Sequence, residues 1–337
     1  MEAAPAPDAG DAGVRRVGAY ILRRVVTSAL LLALVSVLLF VVLRVLPGDP
    51  TIARVGSGQS IDPRVLDELR RDAGLDDPVL VQYGHWIGRM LLHGDFGSSF
   101  FNGLGVGTLI GQRIGATVEL AVAGLVVGVA LALPLALAPV LWPGKAWSRF
   151  VAAYTTLGTA APPFVFGIIF ILLFSVQLRW FPVRGYVAPG DDLLENLRLL
   201  VMPAVTLGIT LSAPLIRYLR TSLEEALRAP YVRTARGKGA SHRALVLRHA
   251  LPNALLPALT ALGVMVGSLL GGVVVVEVVF RWPGMGTLLV DAVSKRDYAV
   301  LQSGVLLVAA AFIVANLVVD VLYGVLDPRL RVDRGRT

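Results

Sequence analysis

The sequence predicts an all-α polytopic membrane protein with six transmembrane helices and an outer domain between the first two. Hydrophobic residues fill 55% of the 337 positions and charged residues only 16%, too few charges to cover a soluble domain of this size. Apolar runs of membrane-spanning length recur along the chain, and basic residues cluster in the short loops between them. Membrane topology therefore explains the net charge of +8 better than nucleic-acid binding does.

The first transmembrane helix is predicted over residues 20–46, after a disordered cytoplasmic tail at 1–19. The beginning of this tail is rich in Ala, Pro, Gly and Asp, a composition that does not bury a core. The apolar run Val25–Leu43 has about the length that a helix needs to cross a bilayer. It is too long for a signal peptide and no small-residue cleavage site follows it, so we expect it to be retained.

Residues 47–115 form the only long polar region and are predicted to lie outside the cytoplasm. The region contains eight acidic and six basic residues, a balance that suits the outer face of a membrane.

Residues 116–326 are predicted to form a core of five further helices. Loop charge gives their orientation. Lys145 and Arg149 lie in one short loop, and eight basic against two acidic residues fall between Arg217 and Arg248. Both loops should be cytoplasmic, as should the Arg-rich tail at 327–337, so that both termini lie in the cytoplasm. The predicted spans are 117–141, 150–177, 199–219, 254–280 and 304–326.

The segment Tyr231–Pro252, here called the hairpin segment, is polar and basic although it lies between two apolar spans. Within a predicted hairpin at 223–251, Pro230 suits a first helical turn, Gly239 a helix C-terminus and Ser241 an N-cap. Two short helices split at Gly239 are expected to dock against a soluble partner. The alternative is a basic loop bound to anionic lipid head groups.

The hairpin segment resembles the cytoplasmic signature of the membrane subunits of binding-protein-dependent ABC importers. That signature has Glu-Ala-Ala, then Gly four positions on, then Ile and Leu-Pro. Arg233-Thr234-Ala235, Gly239, His249 and Leu251-Pro252 occupy the same spacing, although Arg233, Thr234 and His249 depart from the general residues. This form is similar to the variant of the dipeptide, oligopeptide and nickel permease branch.

Other segments resemble the first permease subunit of the same branch, so that the resemblance covers about residues 17–331. They occur in the family's order: Leu46-Pro47-Gly48-Asp49-Pro50, Gly94-Asp95-Phe96-Gly97-Ser98-Ser99, the stretch 276–286, and Asp327-Pro328-Arg329.

The resemblance implies the type I ABC importer permease fold in a bacterial cytoplasmic (inner) membrane. It implies three kinds of protein partner besides the lipid bilayer: a paralogous second permease, two cytoplasmic ABC ATPase subunits and an extracytoplasmic substrate-binding protein. Residues 276–286 then contribute candidates for an outer gate, namely Glu277, Pro283, Gly284 and Gly286. Residues expected to contact the ATPase are Tyr231, Arg233, Thr234, Ala235, Arg236, Lys238, Gly239, Ala240, Leu251 and Pro252.

Catalytic motifs and cofactor sites are not predicted. A P-loop needs GxxxxGK followed by Ser or Thr, and Gly237-Lys238 has Val232 and Gly239 at the flanking positions. Cysteine is absent, and the four histidines form no HExxH pair. We therefore expect a non-catalytic pore subunit of an importer for dipeptides or oligopeptides, with ATP hydrolysed by partner subunits.

An ion-coupled secondary transporter is the alternative from another class. It would need buried carboxylates near the middle of the membrane. Glu119 and Glu277 lie towards predicted outer ends, where snorkelling or pairing is the favoured interpretation, and Asp320 lies near an inner end together with Asn316. Prolines and glycines within the spans, among them Pro162-Pro163, favour a bundle that kinks.

Overall fold

The computed structural model describes residues 9–45, 77–183 and 185–326. The predicted all-helical architecture is confirmed, because these residues form ten helices and, apart from one isolated β-bridge between Ser98 and Gly105, no β-structure. Two helices contain π-helical stretches, at Ile171–Gln177 and Leu245–Ala250. The helices are α1 (Ala9–Val45), α2 (Val79–His93), α3 (Val106–Leu141), α4 (Lys145–Ala160), α5 (Pro163–Gln177), α6 (Leu193–Arg228), α7 (Pro230–Gly237), α8 (His242–Phe280), α9 (Met285–Lys295) and α10 (Tyr298–Leu326).

Five helical stretches of the described chain are long and apolar enough to cross a membrane. They lie at Ile21–Val45 in α1, in α3, in α6, in α8 and at Tyr298–Val318 in α10. The pair α4 and α5 supplies a sixth span if the two helices are counted together, which agrees with the predicted number.

The predicted span at 150–177 is a bent pair of helices rather than one straight helix. Its two parts meet at 108°. Ala161 and Pro162 both have extended backbone angles, with ψ of 131° and 153°. Each of them precedes a proline, and the ring of a following proline disfavours helical angles. Two successive prolines therefore end α4 and start α5 in a new direction.

Helix α6 lies at the centre of the bundle and is the most buried span. Helix α3 packs closely against α6 because glycines, which have no side chain, lie at the contact on both helices. A Cβ atom built on Gly124 would lie 2.7 Å from Leu207 Cβ, and one built on Gly208 would lie 2.9 Å from Val127 Cβ. Small residues at such contacts let helix backbones approach each other in membranes. The main core cluster joins α3, α6 and α8 through Leu120, Leu207 and Val273.

Several predicted boundaries differ from those of the structure. Helix α1 begins at Ala9, so residues 9–19 are helical where we predicted a disordered tail. Extending an existing helix costs little compared with starting one. Helices α3, α8 and α10 also begin before the predicted 117, 254 and 304, because polar residues continue each helix beyond its apolar part.

Some predictions fall outside the described residues. These are the start of the tail at 1–8, the end of the first predicted helix and the part of the polar region at 46–76, the side chain of Asp320 and the tail at 327–337.

Replacing Gly124 with Ala should destabilise the protein, because the added Cβ would press on Leu207 Cβ, which is fixed to the backbone of α6. Overpacking of this kind costs about 1–3 kcal/mol. We expect a lower midpoint of thermal unfolding in detergent. The matched control is Gly115→Ala on the same helix, where nothing lies within 4 Å of an added Cβ. Equal midpoints for the two variants would contradict the close helix contact.

Candidate functional site

The first arm of the hairpin segment has the predicted local structure. Pro230 lies in the first turn of α7, and Gly239 follows its C-terminus with φ of 84°. The N–H of Gly239 donates to the Arg236 carbonyl (3.0 Å) and the N–H of Ala240 to the Ala235 carbonyl (3.2 Å). These two bonds form a Schellman cap, for which glycine is preferred at the left-handed position. The cap fixes the direction in which the chain leaves α7.

The second arm differs from the prediction of a separate short helix. Ser241 is the expected N-cap, and its Oγ accepts from the N–H of Ala244 at 3.4 Å. The helix that follows does not end before Pro252 but continues as α8 to Phe280. Its π-helical stretch ends just before Pro252, which lacks an N–H and crowds the Arg248 carbonyl. A wider turn at this point accommodates the proline.

The hairpin segment exposes a basic face and buries an apolar one. Val232 is fully buried, as is Val246 on the second arm. Helix α7 packs against the π-helical stretch of α8 and the end of α6. Among the predicted ATPase contacts, Ala235, Ala240 and Leu251 are half-buried. The others are exposed: Tyr231, Arg233, Thr234, Arg236, Lys238, Gly239 and Pro252.

Two contacts tie the hairpin segment to the end of α3. His242 Nε2 lies 2.7 Å from the Val140 carbonyl, which belongs to the last turn of α3 and has no helical partner beyond it. The guanidinium of Arg243 lies over the Trp142 ring, 5.9 Å from its centroid. The loop after α3 and the hairpin segment therefore lie at one end of the bundle, here called the hairpin end. Their position at one end agrees with the expectation, from their basic residues, that both loops lie on the same side of the membrane.

At the opposite end, here called the distal end, a buried carboxylate joins three helices. Glu277 in the last turn of α8 is fully buried. It accepts hydrogen bonds from Thr117 Oγ1 on α3 (2.6 Å) and from the N–H groups of Gly286 (2.6 Å) and Thr287 (3.3 Å) in α9. The same Thr117 oxygen accepts from the N–H of Met285 at 2.7 Å. Glu277 thus caps the N-terminus of α9, where a negative charge is favourable.

The glycines predicted beside Glu277 are needed for this contact. A Cβ on Gly284 would overlap the Glu277 carboxylate, and one on Gly286 would lie 2.7 Å from Val274 Cα. The structure therefore brings Glu277, Gly284 and Gly286 together. Pro283 lies in the same turn and is half-buried. We call residues 277–286 the distal turn.

Sequence reasoning missed a second polar cluster beside the distal turn. Asn196 of α6 donates to Glu119 Oε1 (2.6 Å) and to the Val187 carbonyl (2.8 Å), and the Tyr186 hydroxyl donates to Glu119 Oε2 (3.1 Å). Trp282 packs edge-on against Tyr186 at 4.8 Å between ring centroids. The pKa of the Tyr186 phenol is raised, mainly by burial and then by the charge of Glu119 and the hydrogen bond to it. The phenol therefore keeps its proton at neutral pH and can donate to Glu119.

The backbone carbonyl of Ala116 extends this cluster, because it accepts a hydrogen bond from Trp282 Nε1 at 2.8 Å. Glu119 and Glu277 are therefore both hydrogen-bonded inside the protein. Polar residues at the ends of apolar runs, such as Thr117 and Asn196, were the sequence feature that could have indicated these buried hydrogen bonds.

Asp297, also missed, connects Ser99 and Phe100 to the turn between α9 and α10. Its carboxylate accepts from Ser99 Oγ, from the N–H of Phe100 (3.1 Å) and from the N–H of Val300 (3.4 Å). Ser303 Oγ donates to the Phe96 carbonyl at 2.8 Å. The segment around 94–99, one of those that carried the resemblance, is thereby fixed to the distal end.

Two family descriptions match nearly the whole chain. "Binding-protein-dependent transport system inner membrane component" matches residues 124–332, and the N-terminal description of the same membrane component matches residues 18–121. The chain belongs to this permease family. It is a multi-pass inner-membrane protein, as predicted.

Similar proteins of known name cover almost the same length as this permease. A probable peptide ABC transporter permease protein of Sinorhizobium fredii is 37% identical over 93% of this chain and 99% of its own. A glutathione transport system permease protein of Salmonella typhimurium is 38% identical over 93% and 98%. A solved structure titled "Crystal structure of an amino acid ABC transporter with histidines" has a TM-score of 0.49 and 18% identity, and covers 66% of this chain and 94% of its own.

Replacing Glu277 with Gln should destabilise the permease, because the amide NH2 would face donor groups of Thr117, Gly286 or Thr287. A buried donor without an acceptor costs about 1–3 kcal/mol. We expect a lower thermal midpoint in detergent. Glu225→Gln, an exposed site on α6, is the matched control. If the two variants unfold at the same temperature, the buried hydrogen bonds of Glu277 do not stabilise the distal end.

Proposed function

We propose that this permease forms half of the translocation path of an ATP-driven importer for short peptides and that its hairpin segment contacts the ATPase. The observation that supports this most is a basic, exposed face whose backbone is fixed by the Schellman cap at Gly239 and by the buried Val232. A fixed surface can transmit movement, which a mobile loop cannot. The names of the relatives support a peptide or a related solute as cargo.

The proposed assembly contains a paralogous second permease, two cytoplasmic ABC ATPase subunits and an extracytoplasmic substrate-binding protein. ATP hydrolysis belongs to the ATPase subunits, since this chain has no P-loop motif. Its own role is that of a non-catalytic pore subunit. We also propose that the hairpin end and both termini face the cytoplasm, on the basis of the basic loops.

Exposed cations on the hairpin segment suit a docking role better than lipid binding alone. Arg233, Arg236 and Lys238 are exposed on or directly after α7, beside the exposed Tyr231 ring. Charged groups at an interface give charge-assisted hydrogen bonds and direct the approach of a partner. An exposed tyrosine among them is of a residue type that is enriched among the energetically dominant contacts of protein interfaces.

The distal turn is our proposal for an outer gate, because it is tied to α3 and α8, two of the helices that reach the hairpin end. Thr117 connects it to α3, and Glu277 belongs to α8 itself. A rigid-body shift of these helices on ATPase closure would move the distal turn with them.

Replacing Gly239 with Val should uncouple the assembled transporter. A β-branched residue at φ of 84° is strained by about 1–2 kcal/mol, which disrupts the cap although space is available around the Cβ. We expect the variant to co-purify with the ATPase subunits while substrate-stimulated ATPase activity falls severalfold. The control is Gly237→Val, two positions earlier, where the backbone is helical and the space also open.

The two glycine variants separate coupling from assembly. Unchanged stimulation and uptake in Gly239→Val would show that the hairpin segment is not the coupling element. Equal losses in both variants would point to a general intolerance of bulk and would contradict the specific role of the cap.

A further inference from the structure

A cationic side chain of α6, Arg217, lies beside the break between α4 and α5. Arg217 lies 21 positions after Asn196, which belongs to the distal polar cluster, so it lies about 30 Å further along the helix. Its guanidinium NH2 donates to Thr159 Oγ1 (2.7 Å) and to the Thr155 carbonyl (3.3 Å), both on α4. Arg217 is therefore nearer to the hairpin end than to the distal end.

The direction of Arg217 is opposite to that of a side chain that snorkels to the nearer interface. Gly158, the neighbour of Thr159, packs against Ala213, one turn before Arg217 on α6. The guanidinium thus points back along α6, away from the hairpin end. A long cationic side chain near a membrane boundary usually extends towards the head groups. Thr159 holds Arg217 in the other direction, and its own hydroxyl donates to the Thr155 carbonyl at 2.7 Å.

Most of the donor capacity of Arg217 is unused by the described chain. Its two hydrogen bonds come from one terminal nitrogen, whereas guanidinium has five N–H donors. Among the described residues, no carboxylate forms an ion pair with it. A cation near the end of a span is stabilised when it faces water or an anionic group. The side chain is also exposed in this single chain.

A surface cavity of about 380 Å³ lies beside this group. It is lined by residues 158–163, which include the helix break, and by Thr210 and Pro214 of α6. Thr159 is both a lining residue and the partner of Arg217. The cavity is open to the surface of the chain, and its lining of small residues and prolines leaves space beside Thr159.

We infer that Arg217, held by Thr159 at the cavity beside the helix break, is an anion-binding position on the translocation path that takes a carboxylate of the transported solute. This inference rests on the proposed function as a solute path. A fixed carboxylate of the second permease is the competing occupant. A fixed carboxylate would cancel the charge of Arg217 in the cavity at all times, whereas a transported solute would leave that charge uncompensated between transport cycles.

Charge-selective labelling of a cysteine in the cavity tests the inference without knowledge of the cargo. The chain has no native cysteine, so Thr210→Cys gives one reactive site in this subunit. The full-length chain is used in its assembled transporter, with cysteine-free partners. The measured quantity is the ratio of the reaction rate with an anionic sulfonatoethyl methanethiosulfonate to that with its cationic trimethylammonium analogue.

We expect Arg217→Gln to lower this rate ratio by about tenfold, since a nearby unit charge attracts one reagent and repels the other. Arg217→Lys should keep most of the ratio. The matched control Arg198→Gln removes a cation from the exposed distal part of α6 and should leave the ratio unchanged. Co-purification of each variant with the partner subunits shows that it has folded.

Two outcomes would overturn the inference. If neither reagent modifies Thr210→Cys, the cavity is not on a water-filled path. If the ratio is the same with and without Arg217, its charge is neutralised by a partner subunit or does not reach the cavity. Neither outcome depends on substrate-stimulated ATPase activity, so failure of this inference is distinguishable from failure of the proposed function.

Discussion

The close approach of α3 to α6 determines the positions of the other elements. At Gly124 and Gly208 no side chain separates the two helices, and a single methyl group would collide with the neighbouring one. Helix α6 is the most buried span, so its contacts fix the centre of the bundle. Helix α3 is thereby held along much of its length. Both ends of α3 are then fixed points that bind residues far away in sequence.

Helix α8 is attached to both fixed points. Near the hairpin end, His242 at its start lies against the Val140 carbonyl of α3. At the distal end, Glu277 accepts from Thr117, also on α3. Buried hydrogen bonds to a carboxylate are costly to break because an uncompensated charge remains. Helices α3, α6 and α8 therefore form one unit that links the hairpin segment to the distal turn. The bent pair of α4 and α5 lies beside this unit and bounds the cavity near Arg217.

The parts that were predictable from the sequence depend on local chemistry. Pro230, Gly239 and Ser241 each act within a few residues of their own position, and all three have the expected roles. The second arm was mispredicted because no stop signal lies between Ser241 and Pro252, and the helix accommodates that proline with a π-helical stretch. The partners of Glu277 could not be predicted, since Thr117 is 160 positions away and only the packing of α3 brings it close. The prolines at 162 and 163 predicted an interruption, whereas the bend of 108° depends on the packing of both helices.

The distance between spin labels on α3 and α8 tests whether these helices move as one unit. Val118 and Leu256 are exposed, and they lie near opposite ends of the bundle, so their separation responds to both sliding and tilting. Cysteines introduced at these sites would be labelled in the assembled transporter and measured by double electron–electron resonance in nucleotide-free and ATP-trapped states. We predict the same distance distribution in both states. A shift of about one helical turn, roughly 5 Å, would contradict it.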